Sequence, residues 1–156
     1  MFYFSGANVI VEIKKSVSEV TDKWVALDEC AGLSYSVSNS QQPVYGYGSF
    51  RFDAMLPGRE IIQGNLLINY TKPNYFVNKF QSTLASDENN QKKMSFNSFL
   101  TFAFDLKITF LDSEENCLFI EDCYIISKGQ SIQITDQVIL DEFSFIARSI
   151  SYKDEV

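Results

Sequence analysis

The sequence predicts a mainly β protein: an antiparallel β-sandwich or barrel of about eight strands with one flanking α-helix. Three observations predict it. Aromatic residues make up 15% of the chain, led by 14 Phe and 8 Tyr, side chains that suit a pleated, half-buried surface. Several stretches alternate apolar and polar residues at a period of two. One stretch repeats its apolar residues at helical spacing.

The elements follow in order. Asn8 to Lys14 reads as a strand with Val9, Val11 and Ile13 on one face. Trp24 to Leu27 reads as a second, after a polar connection. Leu33 to Ser40 alternates clearly: Leu33, Tyr35 and Val37 point one way, Ser34, Ser36, Ser38 and Ser40 the other, as in a strand with one solvated face. Residues 41–60 break the pattern. They hold three of the seven glycines and two of the three prolines, which reads as a long loop. Yet Tyr45, Tyr47, Phe50, Phe52, Met55 and Leu56 are too apolar for a disordered one. Pro57-Gly58 signals a type II turn. Glu60 to Tyr70 reads as a strand in which Gly64 marks a bulge or a close backbone approach.

Phe76, Phe80 and Leu84 recur every four residues, with Pro73 suited to the first turn, so residues 73–85 read as the helix. From Phe96 the alternation returns and runs to Phe110. Asp112 to Asn116 turns it into Cys117 to Ile126. Lys128-Gly129-Gln130 reads as a further turn, with Ser131 to Thr135 and Glu142 to Tyr152 as the closing strands. No repeat and no linker interrupts the chain, so residues 1–156 are expected to form a single domain.

Composition excludes much chemistry. The chain has no His, which removes imidazole acid–base catalysis, a Ser-His triad and His metal ligation. The net charge of −7 has the wrong sign for gripping phosphates. Three cysteines, Cys30, Cys117 and Cys123, fit buried free thiols in a reducing compartment. On one continuous strand Cys117 and Cys123 share a face but lie roughly 20 Å apart, too far for a disulfide. The opening residues carry no basic leader, and no apolar run approaches the ~20 residues of a membrane helix, so a soluble protein made in the cytoplasm is expected.

Candidate chemistry is sparse. Acidic neighbours occur at Asp28/Glu29, Glu114/Glu115, Glu121/Asp122 and Asp141/Glu142. Adjacent residues on a strand face opposite ways, so these do not make a catalytic pair of the glycosidase kind. There is no phosphate-binding loop and no nucleophile elbow. Cys30 lacks a His to activate it. Cys30 and Trp24 both read as core residues. No catalytic residue, metal or cofactor is expected.

The stretch from Ser34 through Gln-Gln-Pro-Val-Tyr-Gly-Tyr-Gly-Ser-Phe-Arg-Phe-Asp-Ala54, continuing through Pro-Gly-Arg-Glu to Tyr70, resembles tail-tube and tube-like baseplate or hub proteins of tailed bacteriophages. Pro43, Tyr45, Gly46, Tyr47, Phe52, Asp53, Ala54, Gly58 and Gly64 carry it. The resemblance implies a virion structural protein, not an enzyme. It implies subunits assembled as six-fold rings that stack into a conduit for DNA, and a long loop that reaches a neighbouring subunit or the next ring. It therefore implies a self-partner and neighbouring tail or baseplate proteins. DNA would pass without being held, no membrane is involved, and the location is the virion tail after assembly in the host cytoplasm.

In this chain the loop is 41–60. Its expected subunit-interface residues are Pro43, Val44, Tyr45, Gly46, Tyr47, Phe50, Arg51, Phe52, Asp53, Met55 and Arg59, rich in the aromatic and Arg side chains that dominate interfaces. The loop is expected to be ordered only by contact with identical copies. The alternative is a carbohydrate- or protein-binding sandwich module that uses Tyr45 and Tyr47 as a platform.

Overall fold

The computed structural model describes residues 6–15, 24–71, 103–110, 116–135 and 137–153. These form ten strands: β1 Val9–Lys15, β2 Val25–Ala26, β3 Cys30–Asn39, β4 Gln42–Val44, β5 Ala54–Leu56, β6 Glu60–Asn69, β7 Phe104–Phe110, β8 Cys117–Gln130, β9 Leu140–Ala147 and β10 Ser149–Lys153. A 3-10 turn, Gly6–Asn8, precedes β1. No α-helix falls among the described residues, and the helix expected over 73–85 lies outside them, as does the expected turn at 112–115.

Eight strands make one antiparallel sheet in the order β2-β1-β7-β8-β9-β6-β3, with β10 on β8 beside this path. The first and last strands of that path, β2 and β3, are joined by residues 27–29 alone. Leu27 donates its N–H to Val11 and its carbonyl accepts from Cys30, which ties the two ends of the sheet together. The sheet is therefore rolled, and its inner face closes on one core.

β8 makes the roll possible. Its first half pairs with β7 on one edge and β10 on the other, and its second half pairs with β9. Between the halves, Phe104 pairs with Cys123 while Leu106 pairs with Ile120, so β8 carries an extra residue there. That bulge sits at Asp122, whose φ of 52° lies in the left-handed region. The corner is held by hydrogen bonds. Asp122 N–H donates to Asp105 Oδ1 at 3.0 Å, and Arg148 N–H donates to the Glu121 carbonyl at 3.1 Å. The Ser149 hydroxyl donates to Glu121 Oε2 at 3.1 Å.

The core gathers Ile13, Ile62, Leu66, Ile68, Phe104, Leu106, Ile120, Cys123, Phe143 and Phe145. Phe104 of β7 meets Phe145 of β9 edge-on, with ring centroids 6.3 Å apart. Gly64 lies between Phe145 and Tyr35 in the ladder, in unbroken register. A Cβ there would meet the Ser34 carbonyl and come within 2.7 Å of Phe145 Cζ. The expected close approach is thus present, without a bulge.

Several expectations are corrected. The bulge at Asp122 reverses the alternation, so Cys123 enters the core with Leu118 and Ile120, and Cys117 does not share its face. All three cysteines are free thiols. Burial, and then the carboxylates of Asp105 and Asp122, raise the Cys123 thiol far above its ordinary value. Trp24 is not in the core. It packs against Phe119 at 6.1 Å on the opposite face, with Lys14 Nζ 4.8 Å from its ring. The expected turn at Lys128–Gln130 is strand, because Lys128, Gly129 and Gln130 pair with Phe143, Glu142 and Asp141. The expected strand at Ser131–Thr135 is absent. The final expected strand is two, β9 and β10, broken at Arg148.

Candidate assembly surface

β3 and β6 pair along their whole length, from Cys30 with Ile68 to Asn39 with Glu60. As expected, Leu33, Tyr35 and Val37 share the face of Leu66, Gly64 and Ile62. The burial fades along it, however. Leu33 packs on the core, whereas Tyr35 is 39% and Val37 47% exposed. Burial and a hydrogen bond with Tyr152 push the Tyr35 hydroxyl pKa up, so the rim of β3 touches β10 there.

Beyond Asn39 the chain forms a second, separate hairpin, β4 with β5. A waist joins it to the body. Ser40 N–H donates to the Arg59 carbonyl (3.2 Å), Arg59 N–H to the Ser40 hydroxyl (3.1 Å), and Gly58 N–H to Asn39 Oδ1 (3.2 Å). Gly58 presses on the Ser40 carbonyl with no room for a Cβ. Its φ is not positive, so the type II turn expected at Pro57-Gly58 does not form. The glycine is needed for space.

The tip is shaped by its own bonds. Asp53 N–H donates to the Val44 carbonyl at 2.8 Å, and Ser49 N–H to the Gly46 carbonyl at 3.1 Å. The Ser49 hydroxyl donates to Asp53 Oδ1 at 3.2 Å. Gly48 takes φ 77°, a left-handed conformation suited to glycine. The excursion over 41–60 is therefore a hairpin held within its own chain by three strand pairs and by the bonds of its waist and tip. This corrects the expectation that contact with other copies alone gives it order.

Its side chains are another matter. Tyr47 and Phe50 are fully exposed, and Val44, Tyr45, Phe52, Met55 and Leu56 are also exposed. Pro43, Arg51, Asp53 and Arg59 stand among them, exposed as well, and Gly46 lies half-buried beneath the Asp53 carboxylate. The structure thus brings the expected interface residues onto one projecting arm. Neither Arg51 nor Arg59 forms an ion pair with a described residue. A contiguous apolar arm of this kind is unusual for a monomer in water.

Two other surfaces were not singled out by the sequence. The face of β3, β6 and β9 opposite the core carries Ser34, Ser36, Gln63, Asn65 and Ser144 among exposed Ile61, Leu140 and Ile146, with the Ser144 hydroxyl donating to Asn65 Oδ1 at 2.8 Å. Glu142 is the ionisable residue on that face among the described residues. The serine alternation in β3 was its signal, but the matching polar residues of β6 and β9 become neighbours through the ladder. The second surface is the β8–β9 connection, where Ile132, Ile134 and Val138 are exposed. A cleft of about 650 Å³ also opens between β1, β7 and β3, lined by Val9, Val11, Leu33, Ile108 and Phe110. Among the described residues, no group of three His, Cys, Asp or Glu is placed to hold a metal.

This rolled sheet with its projecting hairpin is a tail-tube-like fold, the structural fold found in tail tubes and baseplates of phages and contractile injection systems. The SPP1 tail tube superposes with a TM-score of 0.67 at 9% identity, covering 99% of this chain and 81% of that one. The baseplate structure of the anti-feeding prophage gives 0.57 at 12% identity, over 93% and 91% of the two chains. The virion of a gene transfer agent gives 0.57 at 7% identity, over 96% and 98%. No family model and no curated protein matches the sequence. The likeness is one of fold, and proteins of this fold in those assemblies are structural components.

Proposed function

We propose that the chain is a virion structural protein, a subunit of six-fold rings in a phage tail tube or its baseplate end. The rings form a conduit for DNA ejection. The observation that carries this reading is the β4–β5 hairpin, which pairs its two short strands with each other and leaves a row of aromatic and apolar side chains bare. Such a surface gains most by burial against another protein. The interface then comprises Pro43, Val44, Tyr45, Gly46, Tyr47, Phe50, Arg51, Phe52, Asp53, Met55 and Arg59. Partners are further copies and neighbouring tail or baseplate proteins, in a tail assembled in the host cytoplasm.

The serine and amide face of β3, β6 and β9 suits the wall of the conduit. A face of hydroxyls, amides and a few aliphatic side chains with almost no charge neither holds a polyanion through phosphate contacts nor repels it strongly.

Negative-stain images of the purified protein, with its mass in solution, test the reading. Rings of uniform diameter are expected, and Tyr47→Ala or Phe52→Ala weakens them. A chain that stays monomeric at high concentration, with both variants unchanged in mass, overturns it. A second reading, a binding module, draws on the exposure of Tyr45 and Tyr47. It predicts a monomer whose tyrosine fluorescence responds to glycans.

A further inference from the structure

The core is not closed on every side. Between β1, β7 and β3 it opens into the apolar cleft of about 650 Å³. Among the described residues, seven partly buried apolar side chains pack on the core, and five of them, Val9, Val11, Cys30, Leu33 and Phe110, line this cleft. Further along the same strands the inward side chains are sealed: Ile13 on β1 is 1% and Leu106 on β7 0% exposed. β1 and β7 pair from Lys15 with Phe104 to Val9 with Phe110, and the cleft takes the Val9 and Phe110 end.

The chain itself supplies a segment suited to it. Gly6 stands at the cleft wall, and a 3-10 turn leads from it into β1. The space beside Gly6 is open, since a Cβ there would meet nothing within 4 Å. Five residues precede it, Met1, Phe2, Tyr3, Phe4 and Ser5, and four of them are apolar or aromatic. Extended, five residues reach about 17 Å, which matches the five-residue run of the β3 wall from Cys30 to Tyr35. In an extended segment alternate residues share a face, which puts Phe2 and Phe4 together. The cleft falls in the range, roughly 300–1,000 Å³, of pockets that enclose compact apolar groups. A second apolar stretch outside the described residues, 72–102, returns to the sheet at Phe104, the end of β7 away from the cleft.

We propose that Phe2 and Phe4 dock in the cleft of their own chain and complete the core between β1, β7 and β3. The bound segment lies against Val9 and Phe110 on one wall and Leu33 on the other. An aromatic side chain takes about 150–250 Å² out of water when buried. Here its burial also seals the half-exposed edges of Val9, Leu33 and Phe110. Both partners belong to one chain, so the contact forms in an isolated subunit and stands apart from the ring reading.

Cys30 reports on the cleft, because its thiol is half-buried in the cleft wall while Cys117 and Cys123 are buried. Labelling with N-ethylmaleimide, located by mass spectrometry, is compared between the wild type and the double variant Phe2→Ser, Phe4→Ser. Several-fold faster labelling at Cys30 is expected, with Cys123 unchanged and with Tyr3→Ser at the wild-type rate. Equal Cys30 rates in the wild type and the double variant overturn the inference. A parallel rise at Cys123 also overturns it, since that reports a general loosening of the core. Protection lost in Phe76→Ser, Phe80→Ser and kept in the N-terminal variant gives the cleft to residues 72–102 and overturns it too. In a second measurement, Phe4→Cys is treated with a short bis-maleimide in dilute solution. Bridging to Cys30 within one chain is expected, and bridging between chains in its place puts another copy's N-terminal segment in the cleft and overturns the inference.

Discussion

β6 passes through two environments within ten residues. At Leu66 and Ile68 its side chains are sealed between β3 and β9, in a core supplied by five strands. At Ile61 the side chain is 45% exposed, and past Glu60 the arm of β4 and β5 has no apolar side chain sealed at all. Both regions contain antiparallel pairing, continuous in the body and limited to three residue pairs in the arm. They differ in where the apolar side chains go. The core finds its partners inside the chain, and the arm leaves the second half of its contact open. Backbone pairing fixes the shape of a segment, and burial decides whether that segment belongs to one molecule or to several.

Substitutions separate the two regions. The largest effect is expected at Phe145→Ala, which empties the contact with Phe104 and leaves a cavity, destabilising by about 4 kcal/mol. Urea denaturation followed by Trp24 fluorescence measures it. Next comes Gly64→Ala, which forces a methyl group against Phe145 and the Ser34 carbonyl. Overpacking of this kind costs about 1–3 kcal/mol, read as a lower urea midpoint at unchanged slope. A fall of similar size at Gly48→Ala would erase the distinction between a glycine kept for space in the core and one kept for conformation in the arm.

A third effect depends on pH. The folded Cys123 thiol is raised above its ordinary value of 9.0. Its contribution is therefore fully present below pH 9.0 and is lost as pH rises above it, because the unfolded thiol ionises first. Stability measured from pH 8 to 11 should fall more steeply for the wild type than for Cys123→Ala; equal slopes would show that burial of this thiol has no such linkage. The smallest effect on stability belongs to the arm. Tyr47→Ala and Phe50→Ala should leave the urea midpoint within about 0.5 kcal/mol of wild type while lowering the assembled mass. Unfolding by either variant would place the tip in the folding unit of the core.

The legible parts were those in which one strand carries its own pattern. β1, β3 and β7 announced themselves by alternation, and the interface residues by aromatic side chains crowded among glycines. The illegible parts depend on a partner strand. Lys128–Gln130 holds a turn-forming glycine but is strand because β9 lies alongside it. Ser131–Thr135 holds a strand pattern but has no described strand to pair with. The hairpin within 41–60 was hidden because β4 and β5 have three residues each, too short for a period to show. The serine and amide face exists in no single segment, being assembled by register from Ser34, Gln63, Asn65 and Ser144.

The left-handed residue in β8 has a consequence for tolerance to length change. Asp122 acts as a deliberate miscount: before it the even-numbered positions look inward, and after it Cys123 and Ile125 do, until a second register shift before Ser127. Removing Asp122 itself would leave Leu118, Ile120, Cys123 and Ile125 facing inward in one uniform rhythm and would take away the corner, whereas removing any other residue between Leu118 and Ile125 would turn part of that row out to water. The same deletion in the tip at residues 45–53 would shorten a turn and leave every other side chain facing as before. Two stretches of one chain thus obey different grammars, one in which the number of letters is binding and one in which only the kind of letter matters.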